Sequence, residues 1–521
     1  MHKDIIVVGA GISGIAAGYN LQKRCPEKSF AILEGRNSLG GTWDLFKYPG
    51  IRSDSDMHTL GFRFKPWIHK KSIADGPSIL EYLNETVDEY DLREKIIFNQ
   101  KVVSSNWISE ESIWELTVVS NGQESTMTCN FLFLCGGYYS YDKPYMPKFP
   151  NQDEFKGRLI HPQFWDESMD YVNKKVVVIG SGATAVTLVP AIAEKAEHVT
   201  MLQRSPSYVV SAPGEDSWSK ALNKIFPIRL TYFLIRWKNV LRTSLGFYLS
   251  RKYPAKVKQK LINLVREELG NDFDVEKHFT PRYNPWDQRM CLVPDSDLFN
   301  AIKDGRASVV TDFIESFDEK GIKLKSGKLI EADIIVSATG IEINALNDID
   351  VSIDQKKVEP HNKFSYKGMM LSGVPNLAFS FGYVNASWTL RADLTCEYVC
   401  RLLNQMDKQR VSACIPKEDP NAIVDDEYID FSSGYVQRAL NRLPKQGMRA
   451  PWRNYQNYLK DIFLVRLFSI FRALTISCTH SLPKLSQART STGLDPRRFH
   501  NAISTAPVSE AGTIPTRYSS G

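Results

Sequence analysis

No two cysteines in this chain stand at CxxC spacing, and none cluster at the spacing of a zinc site. The eight present lie at 25, 129, 135, 291, 396, 400, 414 and 478. No metal is therefore expected, and a disulfide-stapled scaffold is excluded. Ordinary cysteine usage fits a reducing compartment, so a cytoplasmic location is expected. No window holds 18 uninterrupted apolar residues, so no membrane-spanning helix is expected. The opening apolar run stops at glycines after four residues, too short for a signal-peptide core. Charge of one sign is also lacking. The balance is 65 basic against 59 acidic residues, or +6, with a pI near 8.7. That does not imply a nucleic-acid partner.

What is present is length and apolar content. The 521 residues are 43% apolar, enough for a large core and, at roughly 150 residues per domain, about three domains. Residues 4–8, Asp-Ile-Ile-Val-Val, read as a buried parallel strand. Gly9, Gly11 and Gly14 follow, then a helical pattern to about Arg24, a second strand from Ser29 to Leu33, and Glu34. This is the order of a dinucleotide site. Gly9 permits the turn, Gly11 leaves room for a pyrophosphate, and Gly14 lets helix and strand approach. Glu34 is placed to accept from a ribose hydroxyl. The position at the head of the chain favours FAD. Gly41, Thr42 and Trp43 offer a flexible backbone beside an aromatic, as an approach to the flavin ring needs; a packed loop would read the same.

The same order returns at 174–210. Gly180 and Gly182 form the loop with Thr184 behind them, and Val199 to Leu202 is the next strand. Arg204 and Ser205 stand where the first unit has its acid. An arginine pairs with a 2′-phosphate that a carboxylate would repel, so NADPH is expected. Between the units, a small antiparallel sheet is expected over 96–128, and a buried strand over 131–134 that rejoins the first sheet. Further on, Asp333 to Ser337 reads as a buried strand running into Thr339 and Gly340 beside a cofactor. Residues 374–382 read as one more central strand, followed by a helix over 389–405.

From Lys220 to Lys260 there are eleven Lys and Arg and no acid, interleaved with aromatics. Helices are expected here. Two readings stay open: a basic amphipathic face lying on an anionic membrane surface, such as the inner face of the cell membrane, and a solvated face covering a substrate tunnel. The tail from about 478 has no period and fits a poorly ordered segment. The fold expected is α/β, with two Rossmann-like dinucleotide domains and a helical insertion in the second. The divisions are 1–145 and 341–465 for the FAD domain, 146–215 and 286–340 for the NADPH domain, 216–285 for the insertion, and 466–521 for a divergent tail.

Two dinucleotide sites imply electron traffic from a nicotinamide to a flavin. A disulfide reductase would need a redox cysteine pair. Cys396 and Cys400 are four apart on one expected helix and read as core. Oxygen, another small acceptor or a protein partner remains as the electron sink.

Residues 155–166, Phe-Lys-Gly-Arg-Leu-Ile-His-Pro-Gln-Phe-Trp-Asp, carry Phe155, Gly157, His161, Trp165 and Asp166. This run resembles the fingerprint of type I Baeyer–Villiger monooxygenases, class B flavoprotein monooxygenases, and lies between two glycine loops as it does there. Segments 41–44, 48–56 and 283–289 are most similar to a mycobacterial branch of that family. The resemblance implies oxidation of small apolar ketones to esters or lactones by dioxygen through a flavin C4a-peroxide, with sulfides and thioamides as further substrates. It implies that Arg289 is the catalytic arginine, that Asp54 tunes it, and that His161 acts through conformation rather than as an acid or base. Gln288 departs from the family, where many members carry a lysine that assists the 2′-phosphate. The alternatives are a heteroatom monooxygenase with little ketone activity and an NADPH–flavin electron-transfer reductase.

Overall fold

The computed structural model describes residues 1–344, 346–417, 426–427, 431–466 and 474–477. The expectation of a poorly ordered tail falls almost wholly outside the described residues.

The first glycine unit is built on the strand His2–Val8, which runs parallel between Phe30–Leu33 and the end of Gln123–Leu134. Its side chains alternate by the pleat. Ile5 and Val7 enter one apolar core, while Ile6 and Val8 enter another on the opposite face. A strand covered on both faces needs a continuous β-branched run, which is what residues 5–8 supply. The helix Ile12–Arg24 covers one face and packs against the long helix Trp388–Gln409.

Two expectations about strands are corrected. The antiparallel sheet and the strand at 131–134 are not separate. Gln123–Leu134 is one twelve-residue strand. Its first part pairs antiparallel with Ile113–Ser120 across an Asn121–Gly122 turn, and its second part pairs parallel with His2–Val8. Residues 377–379, read as a central strand, lie at the outer side of the parallel set. The antiparallel partner ends opposite Cys129, so the free edge at Leu132–Leu134 is taken by Leu377–Phe379.

The second glycine unit has a five-stranded parallel sheet. Its order is Ala307–Thr311, His198–Gln203, Lys175–Ile179, Ile334–Ser337, Arg158–Ile160. The alternation repeats, with Val176 and Val178 in one core and Val177 and Ile179 in another.

Between these strands run the helices Ser217–Leu222, Ile228–Lys252, Pro254–Leu269 and Val275–Phe279. The helix Ile228–Lys252 buries Tyr232, Ile235, Arg236 and Val240 against the first unit. Arg236 donates to the carbonyl oxygens of His58, Thr59 and Gly61 and pairs with Asp393 at 3.2 Å. Phe233, Leu241, Leu245 and Tyr248 remain exposed. No described helix is long and apolar enough to cross a membrane.

Candidate functional site

Both glycine loops open into one cavity of about 1070 Å³, at or above the upper end of ordinary ligand pockets. The helices Ile12–Arg24 and Ala183–Ile192 start at Gly11 and Gly182, and neither has a side-chain cap. Their first amide groups have no intrahelical partner and carry the positive end of the helix dipole. Such helix starts suit phosphates.

Of the residues singled out from sequence, Gly9, Gly11, Glu34, Gly41, Thr42, Trp43 and Asp54 line the cavity from the first unit. Gly180, Gly182, Thr184, Arg204, Ser205, Arg289, Thr339 and Gly340 line it from the second, joined by His161. Gly14 does not. A Cβ there would stand 1.8 Å from the Gly9 carbonyl oxygen, so this glycine sets how closely helix and loop pack rather than touching a ligand. Phe155, Gly157, Trp165 and Asp166 also lie off the cavity.

On the first unit, the Gly40 amide donates to the Ala10 carbonyl, docking the 40–43 loop on the glycine loop. Thr42 Oγ1 is 2.7 Å from the Tyr139 hydroxyl. Glu34 is buried, and its carboxylate accepts from the Ala10 amide at 2.7 Å and the Arg36 amide at 3.1 Å. Burial raises its pKa above the usual range, against the pull of those hydrogen bonds. Arg36 pairs with Asp44 at 2.6 Å and keeps a buried Nη1 without a partner. On the second unit, Arg204 and Ser205 are exposed just past the strand His198–Gln203. Ser181 Oγ donates to the Ser205 carbonyl at 3.0 Å.

Arg289 and Asp54 meet across the cavity, Nη2 to Oδ1, at 2.9 Å. They are 235 residues apart in sequence. The Asp54 charge is the main reason the guanidinium's pKa is pushed up, so it stays charged. Tyr138 and Tyr435 stand close enough to feel that charge. The arrangement presents a fixed positive group to whatever occupies the junction of the two units.

The 155–166 run acts on the connections between units. Residues 138–140 and 342–344 pair as a short antiparallel ribbon: Ser140 N donates to Glu342 O, and Asn344 N to Tyr138 O. Gln163 Nε2 donates to the carbonyls of Ser140 and Tyr141 on the first connection. His161 reaches Gly340 O at 3.1 Å on the second. Its Nδ1 accepts from the Gln163 amide, so the proton sits on Nε2 and is donated to Gly340. Gly157 lets the run pass the Asp333 carbonyl, which a Cβ would meet at 2.2 Å. Phe155 and Trp165 are buried under the second unit. Asp166 is exposed and accepts from the Ser168 amide at 2.9 Å, capping a local turn.

Burial lowers the His161 pKa. The neutral ring is the form that makes both bonds, since a protonated Nδ1 cannot accept. Its contribution to stability is complete above the unfolded value of about 6.5 and is lost as pH falls through the lower folded value. We expect His161→Ala to lower the melting temperature by a few degrees at pH 8, for two hydrogen bonds of roughly 1 kcal/mol each. The gap to the parent should narrow on acidification. A gap independent of pH would show that the ring's titration plays no part.

Sequence reading missed Arg36, Tyr138, Tyr139, Tyr435 and Arg438. Arg36 lies two residues past the acid, where a signal was available. Tyr435 and Arg438 carry no motif and reach the cavity only through folding. The reading of the insertion as cover for a substrate tunnel is not what the described residues show. None from Ser217 to Phe279 lines the cavity, because the inner face of the helix Ile228–Lys252 packs on the first unit instead. Cys396 and Cys400 are buried free thiols on the helix Trp388–Gln409. No group of metal-binding side chains occurs among the described residues.

The family description "Flavin-binding monooxygenase-like" matches residues 69–376, and "NAD(P)-binding Rossmann-like domain" matches residues 7–70. The chain is 52% identical over 466 residues to the FAD-containing monooxygenase EthA of Mycobacterium tuberculosis (strain CDC 1551 / Oshkosh), covering 89% of this chain and 95% of that one. It is 50% identical over 464 residues to the probable FAD-binding monooxygenase AlmA of Acinetobacter baylyi, covering 88% and 93%. Among solved structures, an oxidised steroid monooxygenase bound to NADP superposes with a TM-score of 0.74 at 21% identity, over 92% of this chain and all of that one. A cyclohexanone monooxygenase bound to ε-caprolactone gives 0.72 at 20% identity, over 91% and 100%. At that identity the superpositions speak for the fold, two dinucleotide-binding units in one α/β chain.

Proposed function

Because this chain belongs to the flavin-binding monooxygenase-like family, we propose that it is an FAD-containing, NADPH- and dioxygen-dependent monooxygenase that converts ketones to esters or lactones and also oxygenates sulfides. The single observation that carries the ketone reading is the Arg289–Asp54 pair, held at 2.9 Å in the cavity both glycine loops share.

The residues fit the two cofactors in a definite order. The first loop ends on Glu34, whose carboxylate would repel a 2′-phosphate but suits a ribose hydroxyl. The uncapped helix start at Gly11 and the unpartnered Arg36 Nη1 suit a pyrophosphate. FAD is assigned there, with the 40–43 loop beside it. The second loop has no acid; Arg204 and Ser205 suit the 2′-phosphate of NADPH. When bound, the flavin takes hydride from the nicotinamide and delivers oxygen to the substrate.

The chain's own part is binding and charge placement. Asp54 keeps the Arg289 guanidinium in one orientation. That guanidinium, charged at any working pH, stabilises negative charge developing on a substrate oxygen. The ribbon at 138–140 and 342–344, held by His161 and Gln163, fixes how the units face each other.

Labelled dioxygen with phenylacetone, 2-octanone and methyl phenyl sulfide tests this reading. Label is expected in ester from a ketone and in sulfoxide. Labelled sulfoxide with no ester from any ketone would favour a heteroatom monooxygenase, and no label in any product a reductase. Arg204→Gln should raise KM for NADPH by ~10–100-fold, the loss of one charge-assisted contact, and leave KM for NADH within about twofold. Equal changes for both cofactors would remove Arg204 from the 2′-phosphate.

A further inference from the structure

The cavity holds a second guanidinium, that of Arg438, which follows the single-turn helix Gly434–Gln437. It is stacked on the ring of Tyr145, with its central carbon 3.4 Å from the ring centroid. Nη2 comes within 3.3 Å of the place a Cβ on Gly340 would occupy. Nε and Nη2 are both buried, and neither has a hydrogen-bond acceptor. Among the described residues no carboxylate pairs with Arg438, whereas its neighbour Arg442 is paired with Glu342 at 2.6 Å.

Three features together call for a ligand. A buried cationic donor without an acceptor is unfavourable, and two on one group more so. Nε and Nη2 share one edge of the guanidinium, the edge that grips two oxygens of one anion side by side. Stacking on Tyr145 holds the plane by cation–π attraction but satisfies neither N–H, because the donors lie in the plane and the ring lies beneath it. The edge is therefore preorganised. It lies at the junction of the two units: Gly340 accepts from His161, and Tyr435, three residues before Arg438, lies within electrostatic reach of Arg289.

We propose that Arg438, stacked on Tyr145, is an oxyanion-binding residue of this cavity, gripping two oxygens of a carboxylate or phosphate on a ligand held there. The inference rests on the proposed function for the identity of those ligands. One source is the carboxylate of an oxo-acid substrate whose carbonyl lies toward Arg289. The other is a phosphate of the nicotinamide dinucleotide. The 2′-phosphate is already assigned to Arg204, which stands past a different strand, so the phosphate meant here is one of the pyrophosphate.

The test uses flavin-loaded enzyme with Arg438→Ala and Arg438→Gln, the second being neutral, closer in shape and the fallback if alanine does not fold. Calorimetry gives the dissociation constants of NADP⁺ and of a medium-chain oxo acid, and steady-state assays compare that acid with the methyl ketone of equal length. If the substrate supplies the oxyanion, the variants weaken oxo-acid binding at least tenfold and leave NADP⁺ and the neutral ketone within twofold. If the cofactor supplies it, NADP⁺ weakens at least tenfold and both ketones suffer alike. Arg438→Lys, which keeps the charge but loses the two-donor edge, should restore only part of either loss. Both binding constants within twofold of the parent in the neutral variants would overturn the proposal. The binding measurements do not need turnover, so an enzyme that oxygenates no ketone would sink the functional reading and still show whether Arg438 grips an oxyanion.

Discussion

Arg289→Ala is expected to leave NADPH-driven flavin reduction close to the parental rate and to cut ester formation by ~10²–10³-fold, the usual cost of removing one preorganised charge from an active site. The two half-reactions differ in when they need a cation. The guanidinium stands in the cavity with its orientation set by Asp54 at 2.9 Å, and that carboxylate is the largest influence keeping it charged. Hydride transfer to the flavin needs no cation at this point, whereas charge building on a ketone oxygen during oxygen insertion does. NADPH consumption should therefore continue, uncoupled from product. Arg289→Lys should recover little, because an ammonium lacks the planar fork. Asp54→Ala should cost less, of order tenfold, since the charge remains and only its aim is lost. Stopped-flow reduction and ester quantification on the same preparations separate the two half-reactions. Ester made by R289A at the parental rate would remove Arg289 from the chemistry.

The second large effect concerns stability. Arg236→Ala is expected to destabilise the protein by ~3–5 kcal/mol, the range for breaking a buried ion pair from one side, and to lower the melting temperature by on the order of 10 °C. Arg236 sits on the insertion helix Ile228–Lys252 and is 4% exposed, so water cannot take over its work. Its loss leaves the carbonyls of His58, Thr59 and Gly61 without this donor and strands Asp393, itself buried. Burial already pushes the Asp393 carboxyl up to about 6 despite the attraction of Arg236. Without that cation it should bind a proton near neutrality. Asp393→Asn should cost less, because the three carbonyl contacts of Arg236 survive. Far-UV melting followed alongside release of flavin fluorescence checks both variants. An R236A midpoint within a degree of the parent would show that the insertion is not anchored here.

Much of this molecule was legible along the chain, for reasons of local chemistry. A parallel strand buried on both faces reads as a continuous apolar run, and a glycine loop ahead of a helix leaves the backbone room to approach a phosphate. Residues 4–34 and 174–205 therefore announced two dinucleotide units by composition and order alone. The acid at 34 and the arginine at 204 differ in the sign of their charge, and the proposed sorting of the two cofactors rests on that difference. The fingerprint at 155–166 was legible as a pattern but not as a device. That His161 and Gln163 hold opposite connections of one ribbon depends on Ser140 and Gly340, residues far apart in the chain that no local rule brings together.

Tertiary structure alone decided the rest. Strand order could not be read, because a twelve-residue strand that is antiparallel at one end and parallel at the other has the same alternation throughout. The insertion's role was ambiguous in sequence, since a basic, aromatic helix looks the same whether its face meets lipid, solvent or protein. Packing resolved its inner face by burying Arg236 against the first unit. The Arg289–Asp54 pair was expected from the resemblance and not from the residues' own spacing, and the unpaired Arg438 edge carried no signal at all: a guanidinium's partner, or lack of one, depends on which distant oxygens the fold delivers, and a linear pattern carries no distances between them.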